Sequence, residues 1–172
     1  MNPSRQIRSS LPTGRLVLLI VTALAVTGFG LFVFLFSGWS TLSVEPPADA
    51  AARFAAALSA GASGPAYLTV SAGGQVAVHR GMESASPVRL RTLHVMAWDP
   101  GSGRLLTIAF PFWFVRAKMK ATINLGTLLS ATFGDRVDID LGITQEDLQR
   151  RGPGLVLDHT IPGGGRVLIW TE

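Results

Sequence analysis

The chain has no cysteine, so a disulfide framework, a thiolate zinc site, an iron–sulfur cluster and a cysteine nucleophile are all excluded. Charge is scarce: 15% of the 172 residues are charged, against about a quarter in an ordinary globular chain. Lysine occurs only at Lys118 and Lys120, and no acid precedes Glu45. The pI near 10.6 therefore comes from an unbalanced tail, Arg5, Arg8 and Arg15. Beyond it, 12 basic residues face 11 acidic ones, so there is no basic stripe of the kind nucleic-acid binding requires.

What is abundant is apolar. Hydrophobic residues make up 48% of the chain, mean hydropathy is +0.37, and Leu16 to Phe36 runs for 21 residues without a charge or a proline. At about 1.5 Å per residue such a run covers the hydrocarbon core, which predicts a transmembrane helix over 16–36. A cleaved signal peptide is the rival reading. It is disfavoured because the Ala48-Asp49-Ala50 motif lies 12 residues past Phe36 and the run exceeds a normal signal core. Arginines before the run, with Glu45 and Asp49 the first charges after it, place residues 1–15 in the cytoplasm as a basic tail. The expectation is an inner-membrane, single-pass bacterial protein with a linker at 37–47 and an exported, periplasmic or extracellular domain at 48–172. Arg15 and Trp39 read as membrane-interface residues. Ala23, Thr27 and Gly30 supply small surfaces for helix packing.

Beyond the run, Ala48–Ala60 predicts a short helix with Phe54 and Leu58 on one edge. Three hairpins follow from turn chemistry between strand-like runs: 67–71 with 75–80 around Ala72-Gly73-Gly74, 89–98 with 104–110 around Asp99-Pro100-Gly101, and 155–160 with 166–171 around Pro162-Gly163-Gly164. Pro111 starts a helix to about Ala121, Asn124–Thr132 a second, and Thr144-Gln145-Glu146-Asp147 is a capping box opening a helix to Arg151. The fold class predicted is α+β, one N-terminal transmembrane helix followed by a small domain of three β-hairpins and short helices.

Taken as one unit, Leu90–Glu172 resembles the SHOCT-like hairpin–helix–hairpin module of uncharacterised bacterial proteins. The residues carrying the resemblance are Gly103, Pro111, Leu148, Gly154, Leu157, Asp158, Gly165, Val167 and Ile169. The resemblance implies a fold and no reaction.

Chemistry-bearing motifs are few. Asp135, Asp138, Asp140, Glu146 and Asp147 cluster, yet Ile139 and Leu141 alternate with the acids as on a strand with one wet face, and Arg136 offsets the charge. His79, His94 and His159 lie in three hairpins without metal-ligand spacing. No nucleophile elbow, P-loop or dinucleotide fingerprint occurs. No catalytic residue, metal, cofactor or small-molecule substrate is therefore expected.

The informative segment is Phe110 to Lys120. Phe110, Phe112, Trp113 and Phe114 precede Arg116, Lys118 and Lys120, and neighbours on a helix point about 100° apart. Such a run cannot bury every ring in one core. Phe112, Trp113, Phe114, Arg116, Lys118 and Lys120 are accordingly expected to form a partner-docking surface, with a plain core helix or contact with the lipid bilayer as the other readings. The function expected is a non-catalytic accessory subunit of a larger membrane complex, respiratory or photosynthetic for example, whose partners are integral membrane subunits and the bilayer. The alternative is a membrane-anchored sensory or regulatory protein with an exported ligand- or partner-binding domain.

Overall fold

The structure, a computed structural model, describes Thr22, 38–62, 64–71, 75–84, 86–118, 141–161 and 163–172. The chain divides into two compact units, Met1–Gly38 and Trp39–Glu172. The second unit holds all the described strands.

Its strands are β1 (Ser40–Val44), β2 (Leu68–Val70), β3 (Val76–Val78), β4 (Thr92–Asp99), β5 (Arg104–Pro111), β6 (Gly154–Thr160) and β7 (Arg166–Thr171). Its α-helices are α1 (Pro47–Ala60), α2 (Phe112–Lys118) and α3 (Gln145–Arg151). All seven strands join one sheet in the order β1-β5-β4-β7-β6-β2-β3. Every pairing is antiparallel except β2 with β6.

Alternation along the strands sorts the core into two faces. On one, Met96, Leu105, Leu155, Leu168 and Trp170 gather with Phe54 and Ala62, which docks α1 there. The helix begins with Pro47 at its first turn, carries Asp49 toward its N-terminus, and buries Ala50 and Phe54 one turn apart. The other face displays Leu93, Val95 and Ala97 of β4 opposite Phe110, Ile108 and Leu106 of β5. Ile169 and Val167 of β7 extend it, and all of these are buried. Near the start of β6 the register shifts between Leu155 and Leu157. Leu155, Val156 and Leu157 are all buried in succession because both faces of the sheet are covered there, as they are along Val167–Thr171 of β7.

At α3 the Thr144 hydroxyl accepts from the Asp147 amide at 3.2 Å. The Asp147 carboxylate accepts from the Thr144 amide at 2.8 Å. Replacing Thr144 with alanine should cost about 1 kcal/mol in urea unfolding. Thr144→Ser should restore most of it, and a Thr144→Ala variant as stable as the parent would remove this cap from the account.

Three expectations are corrected. The three hairpins do not make up the sheet by themselves. A strand before α1 forms one margin, and β2 runs parallel beside β6, so the domain is one mixed seven-stranded sheet with few helices. Residues 37–47 are not a linker, because 40–44 pair with β5 from Ser40–Ile108 to Val44–Arg104. The transmembrane helix, and with it the single-pass inner-membrane placement and exported domain, is set aside: among the described residues no helix is long and apolar enough to cross a membrane. The longest of these helices, α1, has 14 residues and reaches about 21 Å, short of the roughly 30 Å hydrocarbon core. The run 16–36, apart from Thr22, lies outside the described residues, as do the tail 1–15 and the helix expected at 124–132.

Candidate docking site

Pro111 keeps its place in the ladder opposite Thr92, and the Phe112 amide, the first of α2, donates to the Arg91 carbonyl at 2.7 Å. Helical spacing then divides the segment. Phe112 and Val115, three apart, are 2% and 0% exposed. Trp113 and Arg116, also three apart, face outward, and Trp113 is 55% exposed. Phe114 is half-buried and stacks on Phe110 at 5.9 Å with rings 8° from parallel. That stack sets α2 against the sheet face that carries Phe110.

Trp39 completes the group from a distant part of the chain. Its ring meets Trp113 edge-on at 5.9 Å and Phe114 at 5.5 Å, while its carbonyl accepts from the Ala109 amide at 2.7 Å. Trp113 and Phe114 are themselves edge to face at 6.0 Å. These distances and tilts suit the ring quadrupoles, which favour edge-to-face and offset contacts. The exposed indole is thus held on two sides before anything binds it.

Among the residues expected to act, the structure brings together Phe112, Trp113, Phe114 and Trp39, with Arg116 beside them on the same helix. Arg116 is exposed. Lys118 is the last residue of α2. Lys120, Arg15, Ala23, Thr27 and Gly30 lie outside the described residues, as do Asp135, Arg136, Asp138 and Asp140.

Two residues escaped the sequence reading. Leu42 and Val44 of β1 are 59% and 77% exposed. They share a sheet face with Leu106 and Arg104, their partners in β5. The signal was the alternation of Ser-Thr-Leu-Ser-Val at 40–44, masked by its position between a long apolar run and a proline pair.

Several polar groups elsewhere are tied into the fold. Glu146 pairs with Arg150 one turn along α3 at 2.7 Å. Asp158 holds Arg166 through two hydrogen bonds, 2.9 and 2.7 Å, and that bonding raises the guanidinium pKa against the opposing effect of burial. Arg166 also lies 4.9 Å over the Phe54 ring. His94 stacks on Trp170 at 4.7 Å, and Glu45 receives Arg53 at 2.9 Å. Among the described residues no three His, Asp or Glu side chains are grouped to hold a metal ion. The aromatic group offers apolar contact area beside a cation, which equips it for recognition. No family model matches the chain, and no curated protein or solved structure matches it either.

Proposed function

We propose that this protein is a non-catalytic docking subunit, which holds a larger protein partner through the outer face of α2. The observation that carries the reading is Trp113. It is a half-exposed indole fixed edge-on by Trp39 and Phe114, next to an outward arginine. Tryptophan and arginine are the residues most enriched at interface hot spots, and a ring already immobilised loses little entropy on binding. The partner surface that fits is an apolar pocket with an acidic rim, since Arg116, Lys118 and Lys120 follow the aromatic residues in sequence.

The test is native purification of the tagged full chain under gentle conditions, followed by native electrophoresis and mass spectrometry. A stoichiometric partner should accompany the parent protein. Trp113→Ala should reduce it at least tenfold while the chain stays folded, with only the modest loss in stability expected from its contacts with Trp39 and Phe114, and Arg116→Glu should weaken it more at low salt than at high salt. Unchanged partner recovery with Trp113→Ala would end the proposal.

A further inference from the structure

Among the described residues β1 lies at one margin of the sheet and β3 at the other. Natural edge strands are guarded by shortness, charge, proline or bulges. The β3 edge is three residues long, with His79 and Arg80 directly after it. On β1 the guards lie outside the strand, at Glu45 and Pro46 directly after it, and the strand itself carries none. Its five residues contain no charge and no proline, and its register with β5 is unbroken.

Hydrogen bonding fixes which groups the edge presents. The Trp39 carbonyl accepts from Ala109 and the Glu45 amide donates to the Gly103 carbonyl. In an antiparallel ladder the bonded residues alternate, so 39, 41, 43 and 45 address β5. The amides and carbonyls of Leu42 and Val44 therefore point to the open side. These are the same two residues whose apolar side chains are exposed. An extended strand laid along β1 would satisfy both backbone and side chains.

We infer that this strand is β1 of a second copy of the chain, paired antiparallel about a two-fold axis at Leu42. The sequence matches itself under that inversion. Leu42 meets Leu42, the Thr41 hydroxyl faces the Ser43 hydroxyl on the opposite side of the sheet, and Val44 lies against Ser40. Cross-strand Thr–Ser pairs stabilise antiparallel sheets. No like charges are brought together, and an acidic or basic peptide finds no countercharge within 40–44. A two-fold contact closes on itself, so the edge is used up in a dimer and does not propagate into a fibre. The inference is independent of docking through Trp113, which is not part of the strand.

Because the chain has no cysteine, one introduced thiol reports the register. In the two-fold pair, Leu42 and its copy exchange backbone hydrogen bonds, with Cα atoms about 5.5 Å apart, inside the disulfide range of about 4.4–6.8 Å. Positions 44 and 44 are four residues out of step, about 14 Å along the strands. In the full chain, Leu42→Cys treated with diamide should form a cross-linked dimer at twice 18.2 kDa. Val44→Cys should give at least fivefold less. Sedimentation of the parent between 1 and 200 μM should show a monomer–dimer equilibrium, which Leu42→Lys weakens at least tenfold. Both side chains point outward, so circular dichroism should show unchanged folding.

A parent chain monomeric at 200 μM overturns the inference. So does equal cross-linking at 42 and 44, and so does a dimer indifferent to Leu42→Lys. A foreign protein strand on β1 would appear as the first of these. Trp113 is untouched in every variant, so such a failure would leave the docking proposal standing.

Discussion

Replacing Phe54 with alanine should lower the unfolding free energy by about 3–5 kcal/mol, the range for emptying a buried phenylalanine site. Phe54 is 1% exposed and is the largest side chain that α1 buries. It sits among Met96, Leu105, Leu155, Leu168 and Trp170, and its ring also supports the Arg166 guanidinium. The other buried residue of the helix is Ala50, whose methyl offers little to compensate. Ala57 and Leu58 pack against the same cluster only partly buried, so the loss falls on the main attachment of α1 to the sheet. Against a typical total of about 5–15 kcal/mol, that is enough to leave a substantial unfolded population. Urea unfolding checks it, with Ala55→Gly as a control for helix propensity, expected to cost about 1 kcal/mol. A Phe54→Ala cost below about 1 kcal/mol would mean that α1 does not hold this face.

The second large effect is at Tyr67, the protein's single tyrosine. Its ring is fully buried, and its hydroxyl donates to Glu83 Oε1. Burial is the main cause that pushes the phenol well above its ordinary pKa of 10.0. The hydrogen bond to Glu83, the Glu83 charge and the more distant Asp147 add to it, and Arg80 opposes. The folded state thus keeps a proton that the unfolded chain releases near pH 10. The stabilisation is complete below that pH. It falls by about 1.4 kcal/mol per pH unit above it, until the folded phenol ionises too.

The ultraviolet signature of tyrosinate, which arises from one residue here, should stay absent in the folded protein at pH 10.5 and appear on adding urea. Tyrosinate forming near pH 10 without unfolding would refute the assignment. Tyr67→Phe should flatten the alkaline slope. It should also cost about 1–3 kcal/mol at neutral pH, because the Glu83 carboxylate loses a donor.

Local chemistry was legible in the sequence where it acts over a few residues. The Thr144–Asp147 cap, the alanine-rich helix with Phe54, and the turn at Asp99, whose carboxylate accepts from the Gly101 and Ser102 amides, each follow from neighbours in the chain. In α2, helical spacing required one ring to be exposed without saying which: Phe112, expected on the docking surface, is buried, and Trp113 is the exposed one.

Long-range pairing was not legible. Nothing in Leu68–Val70 names β6 as its neighbour, because a parallel contact across such a separation leaves no local pattern. Burial on both faces at Leu155–Leu157 also removes the alternation that would mark the faces of β6. Trp39 looked like an interfacial anchor because it follows an apolar run; its contacts with Trp113 and Phe114 arise only when β1 pairs with β5. The same pairing turned an expected linker into a strand.

The strand order also bears on how the domain is built over time. β7, the last of the described strands, lies near the middle of the sheet between β4 and β6. Until residues 166–171 leave the ribosome, the β4–β5 hairpin has no partner on the β4 side, and β2 and β3 cannot join it. Nascent chains halted before that point should therefore be rich in unpaired strand and prone to capture by chaperones. Completion of the sheet is then a late, nearly all-or-none event, with a rate set by closing long loops.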